Sequence, residues 1–461
     1  MLSFLLALLL VGCGGKEAPE PALQHLIVIS IDTLRADYLG TYGNTWVQSP
    51  HLDQLASESV VFDQHISVAP TTVASHAALF TGTYPHTHGS PRNGFPVAQE
   101  NLMLAEVLGG AGFETAAFIG GYPLAKRFGF NQGFDLFDMS FDPRTAGLKV
   151  YGSQRSAENL TDSVIKWVSQ RGRSDKPFFL FMHFFDVHAP YMAPPPYTTM
   201  YRQNTNADIK GTVEDTYRVK AALRRHRPGS RQQSAALAEQ YAGEVTYVDA
   251  QIGRLIAELD HLELLDQSAI VITADHGETM DEHPQIEGWD HGYGVFDTTL
   301  HTPLIIRLPG KKHGGRRLAG LVGNIDVMPT LLELFGVPVP KRVEGTSFLP
   351  ALEGRPHEYR KELFVEATKP STKEYEEGRQ WLNEMKQRGI RTEEYKLIHN
   401  PMKDKVKLYD LNNDPAEDAP LLDGPIDDLK ARLDNWHQSM VPLGSKQDRS
   451  SESLELLEAL G

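Results

Sequence analysis

Two short apolar runs, far apart in the chain, each lead into an aspartate, and together they limit the fold more than any other feature. Leu26-Ile27-Val28-Ile29-Ser30-Ile31 runs into Asp32, and Ser268-Ala269-Ile270-Val271-Ile272-Thr273 runs into Ala274-Asp275-His276. Nearly continuous β-branched runs of this length fit strands buried on both faces, as in a parallel sheet covered by helices. The cover is legible too. Leu160, Val164, Trp167 and Val168 recur at helical spacing within 156–170, and Tyr241, Val245, Val248, Ile252, Leu255 and Leu259 do so within 235–265. Strands alternating with helices predict an α/β fold with a doubly wound, mostly parallel sheet between helices. A chain of 461 residues suits one such large domain with a smaller companion. Past Val337-Pro338-Val339-Pro340 the pattern shortens: 363–367, 395–399 and 407–411 read as antiparallel strands and 426–440 as a closing helix. The expected organisation is a signal at 1–13, a catalytic domain at 25–340, a small C-terminal α+β domain at 341–445 and a loose tail at 446–461.

In open α/β sheets ligands bind at the carboxyl ends of the strands, which is where Asp32 and Asp275 fall. Asp32 alone could equally be a helix N-cap. Joined by Asp275 and His276 it offers oxygen and imidazole ligands, which suit one divalent Mn or Zn ion better than the all-oxygen shell of Ca, although Ca stays open. The stretch 67–89, SVAPTTVASHAALFTGTYPHTHG, reads as a loop feeding a short helix that stops at Gly82, with Thr72, Ser75 and His76 at its mouth. Backbone N–H groups and the helix dipole favour negative charge there, which suits a hydroxyl nucleophile attacking a phosphate or sulfate ester. A simple N-cap role for Thr71 or Thr72 is the alternative. Asp32, Thr72, Asp275 and His276 would then surround one metal, which lowers the hydroxyl's pKa and neutralises the ester's charge.

The apolar run at 178–197 is interrupted by His183, Asp186 and His188, ionisable groups that are expensive to bury unless paired, so all three are expected to face a pocket. His188 is placed to protonate a leaving group, while His183 either binds substrate or is a satisfied core histidine. His291 lies in a glycine-rich loop that permits ligand contact, whereas His301 reads as structural. Arg218, Lys220, Arg224, Arg225, Arg227 and Arg231 make 201–233 either a solvated surface or a lid for an anionic group.

The first thirteen residues, MLSFLLALLLVGC, are too short an apolar run to span a bilayer, and read as an export signal or a buried N-terminal helix. Leu10-Val11-Gly12-Cys13 resembles the lipobox of bacterial lipoproteins. That resemblance implies lipid on Cys13, a membrane anchor and a cell-envelope location, with Gly14 and Gly15 favouring the outer membrane. Cys13 is the only cysteine, so no disulfide forms within the chain. A net charge of −15 argues against nucleic acid as a partner.

Taken together, ISIDTLRADYLGTYG, ASHAALFTGTYPHTHG, FDVHAPY, YAGEVTYVDAQIGRL, VITADHGE, HTPLIIRLPG, NIDVMPTLLELFGVPVP, EGTSFLPAL and KLYDLNNDPAE resemble the sulfatase family of the alkaline phosphatase superfamily. The resemblance implies that family's mostly parallel sheet between helices, its small C-terminal sheet domain and an anionic ester substrate. The departures are specific. Sulfatases carry C-x-P-S-R or S-x-P-S-R, whose first residue becomes formylglycine, where this chain has Thr72-Val73-Ala74-Ser75-His76; His76 fills the arginine slot. Paired aspartates become Asp32-Thr33, Asp-Asn becomes Asp275-His276, and the Gly-Lys-Trp-His stretch becomes Gly120-Gly121-Tyr122-Pro123, without the lysine and histidine that grip sulfate. Threonine with such a metal set resembles the phosphoglycerol and phosphoethanolamine transferases and threonine-dependent phosphodiesterases of the superfamily, which form phospho-threonine with Mn or Zn.

The implied function is a metal-dependent hydrolase or transferase using Thr72, with phosphoryl chemistry favoured. His188, His291, His183 and Asp186 would bind ester oxygens or serve the leaving group, and His76 would orient Thr72 or bind substrate. One alternative is a sulfuric ester hydrolase that works without formylglycine. The other is a non-catalytic lipoprotein that binds an envelope lipid or glycan, against which the complete nucleophile and ligand set argues.

Overall fold

The computed structural model describes residues 23–141, 154–171, 176–203, 208–370, 374 and 387–439. The signal at 1–13 with Cys13 and the tail at 446–461 lie outside the described residues. Among those described, no helix is long and apolar enough to cross a membrane.

Strand β1 (His25–Ile31) is the centre of the molecule, and its alternation explains the layers. Successive side chains point to opposite faces. Ile27, Ile29 and Ile31 enter one core and Leu26 and Val28 the other. The remaining strands of the large sheet are β2 (Val60–Ile66), β3 (Glu114–Ile119), β4 (Leu136–Asp138), β5 (Phe178–Phe184), β6 (Ser268–Thr273), β7 (Leu304–Arg307) and β8 (Arg316–Gly323). Their order is β4-β3-β5-β1-β6-β7-β2-β8. β1 is parallel to β5 and β6, whereas β7 is antiparallel to both β6 and β2. Two reversals cancel, so β2 runs with β1, β5 and β6, and the carboxyl ends of all four reach one edge.

Of the helices that position the site, α1 (Thr72–Thr81) packs Val73, Ala77 and Phe80 on one face of the sheet. On the other face lie α2 (Ala157–Arg171), α3 (Val213–Arg224) and α4 (Ser230–His261). α4 starts five residues before the helix expected at 235–265, and Ser230 and Ser234 are buried in the added turn. The described part of 201–233 is not a loose lid. Thr212 and Asp215 cap α3 reciprocally, and Val219, Ala222 and Leu223 bury its inner face.

A second sheet, ordered β12-β11-β10-β9, is antiparallel throughout and contains β9 (Leu363–Ala367), β10 (Gln387–Arg391), β11 (Tyr395–Asn400) and β12 (Lys405–Asp410). Helix α5 (Ile426–Ser439) covers it with Leu429, Leu433 and Trp436. β10 escapes a hydropathy reading because Gln-Arg-Gly-Ile-Arg is polar. Its arginines are paired rather than solvated, Arg388 with Asp434 at 3.0 Å and Arg391 with Asp297 at 3.2 Å. Residues from 341 on, grouped from the sequence with the small sheet, first give Phe348, Ala351 and Leu352 to the large core.

Candidate active site

The strand ends bring Asp32, Thr72, Asp275 and His276 together although up to 244 positions separate them in sequence. Asp32 follows β1 directly, and both of its carboxylate oxygens are buried with no hydrogen-bond partner. Thr33 then turns the chain in the left-handed region, φ 55°, which costs a β-branched residue on the order of 1 kcal/mol. Three contacts hold that turn: Thr33 N donates to Asp275 Oδ1, the Tyr241 hydroxyl donates to Thr33 O, and Arg35 N donates to the same hydroxyl. Asp275 Oδ1 also accepts from His276 N at 2.8 Å, which leaves Oδ2 buried and unpartnered.

His276 shows where the lone pairs point. Its Nδ1 lies 2.9 Å from Gly277 O, a pure acceptor, so Nδ1 carries the hydrogen and Nε2 the lone pair. Nε2 is 3.4 Å from Asp275 Oδ2, 4.0 Å from Asp32 Oδ1 and 3.5 Å from Thr72 Oγ1. Buried acceptors that face one another without a donor are destabilising unless a cation lies between them. Burial, with Asp275 and then Glu278 beside it, holds Asp32 well above the ordinary carboxylate range. Asp32, Asp275, His276 and Thr72 therefore fit a divalent cation. When bound it would supply positive charge next to Thr72 Oγ1 and the ester.

His76, His183 and Asp275 also approach within 4.8 Å of one another, but this trio does not offer three lone pairs. His76 donates from Nδ1 to Thr72 O at 2.8 Å, and its Nε2 takes the Ser30 hydroxyl at 2.9 Å. Both nitrogens are spent, so His76 fastens the first turn of α1 to β1. His183, fully buried and paired in register with Ser30, sits behind Asp32 with Nε2 at 3.2 Å from Oδ2. Burial and the neighbouring histidines, His76 first, hold it well below its usual range and therefore neutral.

Thr72 is the first residue of α1, and Gly82 closes the helix at φ 64°. Thr71 is at the cap position yet its hydroxyl makes no cap bond; the Asn93 side chain accepts from Val73 N at 2.9 Å instead. The Thr72 hydroxyl is thus not consumed by capping. Ser75 is consumed: its hydroxyl donates to Asp275 O at 2.6 Å and accepts from Asn324 Nδ2 at 3.0 Å.

The residues from 24 to 337 match the model of the sulfatase family, and 287–439 match the C-terminal model of N-sulphoglucosamine sulphohydrolase. The chain belongs to the sulfatase family. It is 26% identical over 416 residues to the multifunctional alkaline phosphatase superfamily protein PehA of Trinickia caryophylli, covering 74% of this chain and 80% of that one. It is 25% identical over 492 residues to an N-acetylglucosamine-6-O-sulfatase of Bacteroides thetaiotaomicron, covering 90% and 85%. Among solved structures it resembles the phosphonate monoester hydrolase of Silicibacter pomeroyi, with TM-score 0.69, 26% identity and coverage of 90% and 94%. A structure in complex with its substrate D-glucosamine-2-N,6-O-disulfate shares the fold at TM-score 0.72 and 21% identity, covering 90% and 98%. This sulfatase-family chain is an ester hydrolase.

His276, His291 and His188 form a row beside Thr72, with ring centroids 4.4 Å and 5.3 Å apart. His291 Nδ1 lies 3.3 Å from Glu278 Oε1, and burial, with His276 next, holds the ring well below its usual range. His188 donates from Nδ1 to Ala189 O at 2.8 Å, stacks on Phe185 and is pushed down to about 4 by burial. His188 is therefore a neutral imidazole in the free protein, with Nε2 as its second nitrogen. His301 is structural, with Nε2 2.9 Å from Asp63 O.

Asp186 does not join the site. β5 ends at Phe184 and the chain turns, so the carboxyl faces the backbone of Ala157 and Glu244 of α4 instead of the pocket. Burial raises it from 3.8 to about 7. The folded protein thus holds this proton more tightly than the unfolded chain, and stability falls as the pH rises through that interval. Asp186→Asn is expected to raise Tm at pH 8, to leave Tm at pH 4 nearly unchanged and to keep turnover within about twofold, since the amide can still accept from Ala157. Melts at both pH values with an ester assay decide it. An equal shift at both, or lost turnover, would return Asp186 to the site.

Four contributors were not singled out as site residues from the sequence. Asp290 bridges two cations, Lys369 Nζ at 2.8 Å and Lys220 Nζ on its other oxygen, and Glu278 joins His291 to the Tyr191 hydroxyl. Lys220 is pushed down to about 7 by burial and by Lys369. It was visible within the basic run at 201–233; Lys369, two residues past β9, carries no motif.

Proposed function

We propose that this ester hydrolase uses Thr72 as a metal-assisted nucleophile, with phosphoryl esters preferred over sulfuryl esters. The observation that carries the reading is the uncommitted Thr72 hydroxyl at a helix start, 3.5 Å from His276 Nε2 and beside the unpartnered oxygens of Asp32 and Asp275. Deprotonated Thr72 Oγ1 forms a bond to phosphorus as the bond to the leaving oxygen breaks. That oxygen leaves as an alcohol, and the proton it takes balances the one that the Thr72 hydroxyl gave up to the surrounding water. Water or an acceptor alcohol then cleaves the phospho-threonine and restores the hydroxyl, which makes the enzyme a hydrolase or a transferase. Neutral His188 and His291 orient ester oxygens, and protonation of His188 follows arrival of the anionic substrate.

The phosphoryl preference is supported by the threonine at the formylglycine slot and by similarity to a phosphonate monoester hydrolase. Mn or Zn is favoured by the mixture of carboxylate and imidazole. Turnover of matched aryl phosphate, phosphonate, phosphodiester and sulfate esters, with and without Mn, tests the reading. A sulfate ester hydrolysed faster than every phosphorus ester would reverse the preference.

We also propose that Cys13 carries lipid and anchors the protein in the cell envelope, the outer membrane being favoured by Gly14 and Gly15. The apolar run before it is too short to span. Globomycin, or Cys13→Ser, is expected to shift the apparent mass and release the protein from the membrane fraction. Unchanged processing and fractionation under both would refute the anchor.

A further inference from the structure

Of the three histidines beside Thr72, His291 stands on the most constrained backbone. It lies between Trp289 at φ 49° and Gly292 at φ 99°, so the loop enters the left-handed region twice, once at a bulky residue that rarely adopts it. Such a loop keeps one shape only where its surroundings over-determine it. Trp289 supplies the first restraint: its backbone N donates to Met280 O at 3.0 Å, and its indole N–H donates to Ser234 Oγ at 2.8 Å.

The second restraint is ionic. Asp290 and His291 repeat locally what Asp275 and His276 do, since in each pair a carboxylate oxygen accepts from the backbone N of the following histidine, at 2.9 Å and 2.8 Å. Their remaining oxygens differ. Asp275 Oδ2 has no partner, whereas Asp290 accepts from Lys369 Nζ on Oδ1 at 2.8 Å and from Lys220 Nζ on Oδ2. The three side chains are between 7% and 16% exposed, so water and salt screen these pairs little. Lys220 arrives from α3 and Lys369 from beyond β9, so two elements unrelated in sequence grip one carboxylate. Both ammonium groups also lie over the Tyr293 ring, at 5.7 Å and 5.0 Å. Lys369 adds a backbone contact, its N donating to Gly292 O at 3.1 Å. A Cβ on Gly292 would lie 2.8 Å from Lys369 Cδ and 3.0 Å from the methyl of Thr71, so the clamped loop packs directly against the residue before Thr72.

We propose that Asp290, Lys220 and Lys369 form a positioning clamp for His291: by pinning the loop from Trp289 to Gly292 they fix the imidazole beside Thr72, and they act on the reaction through that ring. The inference rests on the proposed role of His291 in orienting ester oxygens and names what holds the ring in place.

The test is a double-mutant cycle on kcat/KM, run with whichever of matched aryl phosphate, phosphonate and sulfate esters the protein turns over fastest. Asp290→Asn is expected to lower kcat/KM roughly 10- to 100-fold, the cost of misplacing a positioned group by about 1 Å. The same change made in the His291→Ala protein should cost less than about twofold, because the ring it positions is already gone. Lys369→Gln removes one cation, leaves Asp290 in place and should show the same coupling with a smaller loss; it carries the cycle if Asp290→Asn does not fold. The rise in Tm on adding Mn should be the same in Asp290→Asn as in the unaltered protein, and a smaller rise would overturn the inference by tracing the loss to the metal ligands. A loss of the same factor with and without His291 also overturns it, in favour of direct contact between the lysines and the ester, and leaves the proposed function standing. So does unchanged kcat/KM in both clamp variants. Near-native turnover in His291→Ala would overturn the inference together with the role of His291 in the proposed function. Near-full turnover in Thr72→Ala, with the cycle still coupled, would remove the proposed nucleophile and leave the clamp supported.

Discussion

Thr72→Ala is expected to lower turnover of every ester substrate by roughly 10⁴- to 10⁶-fold, the loss seen when a nucleophile is removed and only binding and electrostatics remain. The fold should survive. Thr72 is the first residue of α1, its side chain makes no cap bond, and Asn93 supplies the bond to Val73 N. Thr72→Ser keeps the hydroxyl and should retain a measurable fraction of activity, which separates loss of the oxygen from loss of helix geometry. Ser75→Ala gives a contrasting failure. Ser75 ties α1 to the carbonyl of Asp275, so its loss should loosen the site and lower stability without removing the attacking group. Acid quenching of the unaltered protein during turnover, followed by peptide mass spectrometry, should place phosphate on Thr72. Phosphate on Thr71 or Ser75, or near-full activity in Thr72→Ala, would overturn the assignment.

The sheet centre was legible because burial on both faces leaves a continuous apolar signature, and β1 and β6 carry it without interruption. β10 was not legible because its charges are neutralised by residues distant in sequence. Nothing near Arg388 or Arg391 announces Asp434 or Asp297. The site divides the same way. Asp32, Asp275 and His276 stand where strands end, and that position marked them as candidate ligands before the structure brought them together. Asp186 looked equivalent from spacing, yet the turn after Phe184 reverses its direction, and no one-dimensional pattern records that turn.

The second layer was the least legible. His76 lies four residues after Thr72, one helical turn, and that spacing alone allowed orientation or substrate contact. Ser30, on a strand 46 residues away, occupies the remaining nitrogen, and no spacing announces that partner. Glu278, Asp290, Lys220 and Lys369 matter through one another, each reaching the site from a different segment. Lys220 reaches Asp290 from α3 and Lys369 reaches it from beyond β9, and sequence spacing encodes neither approach.

Removing the metal should have two opposite effects depending on whether Asp32 keeps its charge. In the metal-free protein burial and the neighbouring Asp275 hold Asp32 well above the ordinary carboxylate range, so its stability cost appears as the pH rises and the buried group must ionise. Asp32→Asn is expected to raise Tm at alkaline pH and to change it little at acid pH. Adding Mn or Zn should then raise Tm of the unaltered protein by a margin that grows with concentration, the added stability being about 2.7 kcal/mol at a hundredfold excess over Kd. That gain should be largely absent in Asp32→Asn, Asp275→Asn and His276→Ala, each of which removes one ligand. The three should also lose bound metal on purification and fall in turnover by several orders of magnitude. Thermal melts at graded metal, with elemental analysis, read the site without relying on catalysis. A metal-induced rise in Tm of equal size in all four proteins would place the cation elsewhere, and a stoichiometric metal retained by the three variants would exclude these residues as its ligands.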